Sequence, residues 1–265
     1  MSHQSLHIAP DRFPLASQVS GAPNAPPLLL LQGQANSHRW WDSLRPAIER
    51  HFRTITLDYR GTGDSRGPVG TWTIDSFVAD VIVVLDGLGI RQVAVYGTSM
   101  GGRVAQVLAA RHPERVSALV LACTSPGGSH AVERGPDVRR ALAGATPDER
   151  TDLLHDLFFT PDWPPSPQDA LLLGDPSMSA QEATAHLRVS DRHDAWEFLP
   201  SITAPTLVLH GGQDQMAPVI NAHTLADRIP GAQLHIVEEG RHGFFVEFAS
   251  EVLPRAMDFL DSTRA

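Results

Sequence analysis

Ser99 stands in the middle of a glycine-rich segment, residues 97–101 (GTSMG), which directly follows an apolar run and opens a helix-like pattern. In this strand-turn-helix context, the G-x-S-x-G pattern is typical of a nucleophilic serine. Glycines two positions to either side of the serine allow a strand and a helix to approach each other closely around a tight, strained turn. The segment therefore predicts that the Ser99 hydroxyl is exposed at the edge of a sheet.

Two later loops supply the partners that such a serine requires. A serine hydroxyl is a weak nucleophile and needs a neutral imidazole beside it, which a carboxylate in turn orients. Asp214 and His242 each follow an apolar run, and the chain order Ser, Asp, His is the one associated with this turn. We predict that Ser99 is the nucleophile, His242 the base and Asp214 the orienting acid, with Asp191 and Asp194 as rival acids.

Acyl transfer also requires hydrogen-bond donors for the negative charge that develops on the carbonyl oxygen. The backbone N–H of Met100 is one candidate, because Met100 directly follows the nucleophile. Gln34 lies in the loop after the apolar run 28–31 and is our choice for the second donor. The sequence thus predicts an oxyanion hole formed by the main chain of two separate loops.

The sequence offers little support for a metal centre. His210 with Asp214, and His235 with Glu238, are pairs that lack the third protein ligand of a catalytic zinc. The single cysteine, Cys123, excludes an internal disulfide and any cysteine-rich metal site. We expect no metal, no organic cofactor and a cytoplasmic location.

Composition excludes further classes of function. Of 265 residues, 30 are Asp or Glu and 21 are Lys or Arg, which gives a formal net charge of -9. This excess of negative charge disfavours nucleic acid and anionic lipid surfaces as partners. Since all the basic residues are arginine, Schiff-base chemistry on a lysine is excluded. The longest early apolar run, residues 28–31, is too short for a signal peptide or a membrane span, so we expect no membrane segment.

The elements that must position these residues are predicted by the apolar pattern. Short continuous apolar runs alternate with longer segments of helical periodicity, as expected when helices cover both faces of a parallel sheet. The predicted strands span residues 28–31, 54–57, 93–96, 118–123, 206–209 and 233–237. The alternation predicts an α/β fold with a doubly wound, mostly parallel sheet, whose ligands bind at the carboxyl ends of the strands.

One long segment interrupts the alternation. Between residues 126 and 199, prolines, acidic residues and helical patterns replace the strands. We interpret residues 126–199 as a helical cap inserted into a core formed by residues 1–125 and 200–265. The final helix is expected to begin after Ser250 as its N-cap, so that Pro254 falls in the first turn.

Substrate contacts are expected from both parts of the chain. Because the cap leaves the carboxyl end of a strand, it should fold over the site, and its large apolar residues could then wall the pocket. Gly33, beside the predicted oxyanion donor, is the expected contact from the core. The candidates in the cap are Trp163, Leu171, Leu172, Trp196 and Phe198.

Taken together, these motifs resemble those of the capped α/β-hydrolases. Besides residues 97–101, residues 58–65 (DYRGTGDS) match the D-x-R-G-x-G-x-S loop of that family, whereas Gln32-Gly33 stands where the family often has His-Gly. The resemblance implies the same triad, Ser99, Asp214 and His242. A serine at the turn, rather than an aspartate, argues against the haloalkane-dehalogenase and epoxide-hydrolase branches.

The resemblance implies a serine hydrolase that cleaves a small or medium carboxylic ester or lactone through an acyl-enzyme, similar to enol-lactonases and cofactor-free haloperoxidase-like esterases. Three alternatives use the same triad: a carbon–carbon bond hydrolase, a perhydrolase and a biosynthetic rearrangement enzyme. The first is less favoured, because many such hydrolases carry a tryptophan where Gly243 follows His242. A non-catalytic ligand receptor is a further alternative, since fold does not fix function. The substrate's identity and the oligomeric state stay open.

Overall fold

The computed structural model describes residues 3–263, apart from the side chain of Pro147. Its strands are β1 (His3–Ile8), β2 (Pro14–Ser20), β3 (Pro27–Leu31), β4 (Arg53–Leu57), β5 (Val93–Thr98), β6 (Val116–Ala122), β7 (Thr206–Gly211) and β8 (Gln233–Val237). They form one sheet in the order β1-β2-β4-β3-β5-β6-β7-β8. Only the β1–β2 and β2–β4 pairs are antiparallel. The predicted α/β fold with a mostly parallel sheet is confirmed.

Helices cover both faces of this sheet. They are α1 (Arg45–Ile48), α2 (Ile74–Gly87), α3 (Met100–Arg111), α4 (Pro136–Gly144), α5 (Pro147–Phe158), α6 (Ala180–Asp191), α7 (Ile220–Arg228), α8 (Phe244–Glu247) and α9 (Ala249–Ser262). Within residues 3–263, none of these helices combines the length and apolarity needed to cross a bilayer.

Strand β3 shows why the predicted strands read as continuous apolar runs. Leu28 and Leu30 pack in one buried cluster with residues of α9, whereas Leu29 and Leu31 pack in a second cluster with residues of α2 and α3. Successive side chains of a strand point to opposite faces, so a strand covered on both sides needs apolar residues at every position. By contrast, β1 lies at the edge of the sheet and leaves its apolar residues largely exposed, which is why no apolar run predicts it.

The segment from 126 to 199, here called the insert, joins β6 to β7 and contains α4, α5 and α6 with no strand among its described residues. Its two ends are held together by main-chain hydrogen bonds. Gly128 N donates to His193 O at 2.9 Å, and Ala195 N donates to Pro126 O at 2.9 Å. The two ends of the insert therefore lie side by side, close to the carboxyl end of β6.

The start of the last helix differs from the prediction. Helix α9 begins at Ala249 and has Phe248, not Ser250, at its N-cap position. Helix α8 runs almost directly into α9, and Phe248 O accepts hydrogen bonds from the N–H groups of Glu251 and Val252. Pro254 consequently lies inside the helix rather than in its first turn. The prediction of Ser250 as the N-cap was wrong because α8 ends at Glu247 and leads almost directly into α9, so that Phe248 takes the N-cap position.

Candidate active site

The turn between β5 and α3 forces Ser99 into a strained main-chain conformation, with φ 52° and ψ -119°. Only glycine fits at the positions two residues before and two residues after it. A Cβ atom on Gly97 would lie 2.5 Å from Gly101 O, and one on Gly101 would lie 2.2 Å from Leu31 O. Ser99 N donates to Ala122 O of the neighbouring strand at 2.9 Å. The strained serine is thus fixed to the central sheet at the carboxyl end of β5.

The structure brings the three predicted triad side chains together. His242 Nε2 lies 3.1 Å from Ser99 Oγ, and His242 Nδ1 lies 2.8 Å from Asp214 Oδ2. Asp214 follows β7 and His242 follows β8, so both stand at the same edge of the sheet as Ser99. With the proton on Nδ1, the ring donates to the carboxylate and accepts from the serine hydroxyl, which is the geometry for activating a nucleophile.

Asp214 is held as a carboxylate by its surroundings. Its Oδ1 atom accepts hydrogen bonds from Met216 N at 2.8 Å and Ala217 N at 2.9 Å. Burial raises the pKa of Asp214, but His242 and His210 lower it through charge and hydrogen bonding, and the net effect places the pKa well below its usual value. The carboxylate is therefore ionised at neutral pH and able to orient the imidazole.

The two predicted oxyanion donors line the same cavity as Ser99 and His242. Met100 is the first residue of α3, and a helix leaves the N–H groups of its first turn without partners inside the helix. The loop that carries Gln34 is folded back on itself by Asn36, whose Nδ2 donates to Gln34 O at 2.8 Å. Both loops thus reach the cavity from neighbouring strands, β3 and β5.

The cavity has a volume of about 120 Å³ and lies between the sheet edge and the insert. Its wall from the insert includes Arg134, Leu142, Arg150, Leu154, Phe158, Leu172, Leu173, Gly174 and Ser190. Arg134 and Arg150, and also Arg103 on α3, line the cavity but were not predicted from the sequence. Of these, only Arg103 had a signal, since it lies one helical turn beyond Ser99.

Leu172 lines the cavity as predicted, but the two tryptophans expected there do not. Trp163 stacks on Phe159 with ring centroids 5.5 Å apart, and Trp196 stacks on His130 with centroids 3.8 Å apart. The prediction that Trp163 and Trp196 form the cavity wall was therefore wrong. Both rings pack against other aromatic rings instead.

Gly33, Leu171 and Phe198 are likewise absent from the described lining of the cavity. A Cβ atom on Gly33 would lie 2.6 Å from the Trp40 ring, so the glycine makes room for a tryptophan that does line the cavity. The effect of Gly33 on the cavity is therefore indirect, through Trp40, and its contact with a substrate stays a prediction.

Cys123 directly follows β6, has a positive φ of 43° and lines the cavity. Burial, together with the nearby negative charge of Asp214, raises the pKa of its thiol well above the usual value. Cys123 is therefore held as a neutral thiol, which lacks the charge of an activated cysteine nucleophile. Among the residues that the structure describes, no group of three His, Cys, Asp or Glu side chains could hold a metal ion.

A strained serine at a strand-helix turn, with an imidazole and a carboxylate from later strand ends, defines a class of α/β enzymes. The family model of the α/β-hydrolase fold matches residues 26–249. The chain belongs to the α/β-hydrolase fold family.

Several known hydrolases are similar to this chain. The poly(3-hydroxyalkanoate) depolymerase of Ectopseudomonas oleovorans is 31% identical over 255 residues, covering 92% of this chain and 87% of the depolymerase. The 2-hydroxymuconate semialdehyde hydrolase of Pseudomonas putida is 31% identical over 266 residues, covering 97% of this chain and 90% of that hydrolase. The crystal structure of the enol-lactonase from Burkholderia xenovorans LB400 superposes with a TM-score of 0.83 at 26% identity, covering 97% of this chain and 100% of the lactonase.

Proposed function

We propose that this protein is a serine hydrolase that cleaves a small or medium carboxylic ester or lactone through an acyl-enzyme intermediate. The observation that carries the proposal is the chain of two hydrogen bonds, 3.1 Å from Ser99 Oγ to His242 Nε2 and 2.8 Å from His242 Nδ1 to Asp214 Oδ2. This arrangement transfers a proton from a hydroxyl to an imidazole while a carboxylate stabilises the cation that forms.

The proposed reaction has two halves. Ser99 Oγ attacks the carbonyl carbon as its proton passes to His242 Nε2, and the N–H groups of Met100 and Gln34 stabilise the oxyanion. The tetrahedral intermediate collapses, the C–O bond to the alcohol breaks, and the alcohol takes the proton from His242. Water then attacks the acyl-enzyme with His242 again as the base, and the acid leaves with Ser99 restored. No metal or organic cofactor takes part in this scheme.

The domain organisation is part of the proposal: residues 1–125 and 200–265 form the catalytic core, and residues 126–199 form a cap that shapes the substrate pocket. Two observations support it. The ends of the insert are joined beside the carboxyl end of β6, and its helices contribute apolar residues to the cavity that holds Ser99. The partner is then a small molecule enclosed between cap and core. The expected cytoplasmic location stays a prediction that rests on cysteine content, and the exclusion of nucleic acid stays one that rests on net charge.

Carbon–carbon bond hydrolysis is the second candidate, because the chain is 31% identical to a 2-hydroxymuconate semialdehyde hydrolase. The ester reaction is favoured over it by Gly243, since many carbon–carbon hydrolases have a tryptophan after the catalytic histidine. Product analysis on matched esters, lactones and diketones separates the two reactions. The same panel would expose perhydrolysis and rearrangement, and turnover itself separates an enzyme from a ligand receptor.

The direct test is the Ser99→Ala variant. It removes the attacking oxygen, so ester turnover should fall by at least about 10³-fold while the melting temperature stays close to that of the parent. Ser117→Ala is the matched control, because Ser117 is exposed on β6 and takes no part in the site. Ester hydrolysis at an undiminished rate in Ser99→Ala would exclude the proposed mechanism.

A further inference from the structure

The cavity carries positive charge in a protein that is negative overall. Three arginines, Arg103, Arg134 and Arg150, line it, and no aspartate or glutamate is found in its described lining. The whole chain has a formal net charge of -9. An excess of one sign of charge in a concave site attracts ligands of the opposite sign. The site therefore differs in electrostatic character from the rest of the surface.

Arg103 is already engaged by the protein. Its Nη1 donates to Ser190 O at 2.6 Å, and its Nη2 donates to Ser125 Oγ at 2.9 Å. The carboxylate of Glu133 lies 3.9 Å from the same Nη2 atom. This guanidinium therefore joins α3 to the insert, and we assign it a structural role.

The other two arginines retain most of their hydrogen-bonding capacity. Arg150 Nη1 donates to Leu142 O at 2.8 Å, which uses one of five N–H donors. Arg134 makes no side-chain hydrogen bond or ion pair with the residues that the structure describes. Burial lowers the pKa of Arg134, although the charges of Glu133 and Asp191 oppose the shift. Since an arginine stays protonated in proteins, the cavity is lined by a positive charge that has no carboxylate within 4 Å among the described residues.

Arg134 and Arg150 also line an outer groove between α4 and α6, and therefore stand where that groove meets the catalytic cavity. The acidic residues of the groove are Glu133 and Asp191. Glu133 already lies within 4 Å of Arg139 and of Arg103. A substrate entering through the groove would thus meet two available guanidinium groups before its carbonyl reached Ser99.

We propose that the substrate is an ester or lactone that also carries an ionised carboxylate, which Arg134 binds with the help of Arg150 while the scissile carbonyl faces Ser99. A guanidinium matches a carboxylate with two parallel hydrogen bonds, and charge-assisted bonds of this kind are the strong ones. The small cavity volume, about 120 Å³, favours a short chain between the two carbonyl groups. This inference rests on the proposed function.

The test compares two esters of equal length, monomethyl glutarate and methyl 4-carbamoylbutanoate, which differ in carboxylate against carboxamide. The parent enzyme should prefer the charged ester by about 10- to 100-fold in kcat/KM, the effect of a hydrogen bond to a charged group. Arg134→Gln should reduce this ratio to near unity, and Arg134→Lys should retain part of it. Arg140→Gln, which removes an exposed arginine of the same insert, should keep the full ratio.

The outcomes separate the inference from the proposed function. Hydrolysis of both esters at equal rates, lost in Ser99→Ala, would overturn the anion site and leave the serine mechanism standing. If neither ester is hydrolysed, the Ser99→Ala protein is titrated by calorimetry with glutarate and with neutral glutaramide. Binding of glutarate alone, abolished by Arg134→Gln, would support the anion site without any turnover. Equal binding of the two, or none at millimolar concentration, would overturn it.

Discussion

The carboxyl edge of the sheet and the insert differ in how closely sequence determines the position of a side chain. At the sheet edge, Ser99, Asp214 and His242 all follow predicted strands, and the structure places them within hydrogen-bond reach of one another. In the insert, the predicted helical segments are present, yet Trp163 and Trp196 point to other aromatic rings. Strand order and direction fix where a loop residue lies. Both tryptophans lie in turns between helices of the insert, where the direction of a side chain is fixed only by packing.

The largest effect is expected from a change to Asp214, the predicted acid of the triad at the carboxyl edge of the sheet. In Asp214→Asn the side chain keeps its shape but no longer stabilises the imidazolium or the required tautomer, so kcat should fall by about 10⁴-fold. The rival acid in the insert provides the matched control. Asp194→Asn should change kcat by less than about threefold, because Asp194 Oδ1 only accepts a hydrogen bond from Trp196 N and an amide oxygen can replace it. A larger loss in Asp194→Asn than in Asp214→Asn would reverse the assignment.

The second prediction compares the packing of the two regions. A methyl group at position 101 would lie 2.2 Å from Leu31 O, so Gly101→Ala should destabilise the protein by about 1 to 3 kcal/mol. Gly144 ends α4 in the insert, and no described residue beyond its own turn of helix lies within 4 Å of the place that a methyl group would take. Gly144→Ala should therefore stabilise the protein by about 0.4 to 1 kcal/mol. Each kcal/mol corresponds to a melting-temperature shift of roughly 2 to 4 °C. Equal shifts of the melting temperature in both variants would show that positions 101 and 144 do not differ in how tightly they are packed.

The third prediction concerns the contact between insert and core made by His186. Its Nδ1 accepts from Ala35 N at 3.2 Å, and its Nε2 donates to Arg60 O at 2.8 Å, which requires the neutral ring. Burial lowers the pKa of His186 from 6.5 to about 4. Protonation therefore favours the unfolded chain, and this group's contribution to stability is lost as pH falls from about 6.5 towards 4.

From pH 7 to pH 5 this effect amounts to about 2 kcal/mol. Urea unfolding at the two pH values measures it. The loss should be smaller in His186→Gln than in the parent, whereas His51→Gln, which alters an exposed side chain, should keep the parent's dependence. An unchanged pH dependence in His186→Gln would show that this ring does not link the insert to the core in the neutral form.

The smallest effect on catalysis is expected at Trp196, a residue of the insert that was predicted from the sequence to line the pocket. Trp196→Phe should change kcat/KM by less than about twofold, because the ring lies outside the cavity and a phenyl ring can still pack on His130. Leu172→Ala removes part of the cavity wall and should lower kcat/KM by about tenfold. Steady-state kinetics on one ester compares the two, and a greater loss in Trp196→Phe would restore the tryptophan to the wall.

Most of the sheet and the chemistry of its carboxyl edge could be predicted from the sequence because, in both, close packing restricts which residue types fit. Apolar runs mark strands buried on both faces, and the GTSMG turn is constrained by the close approach of Gly101 to Leu31. Strand β1 was missed because it is exposed at the edge of the sheet, and β2 because the polar Ser17 and Gln18 interrupt its buried apolar residues. Arg134 and Arg150 were missed because an arginine in a surface helix or loop is ordinarily solvated, and only the folded insert turns these two towards the cavity.

Covalent trapping tests the central claim most directly. The intact protein is treated with a fluorophosphonate, digested with trypsin and analysed by mass spectrometry. Cleavage after Arg91 and Arg103 releases the peptide 92–103 (QVAVYGTSMGGR), in which Ser99 is the only serine. The account predicts one phosphonyl adduct per chain on this peptide, at Ser99, with loss of ester hydrolysis in parallel. An adduct on another peptide, or full hydrolytic activity in protein modified at Ser99, would contradict it.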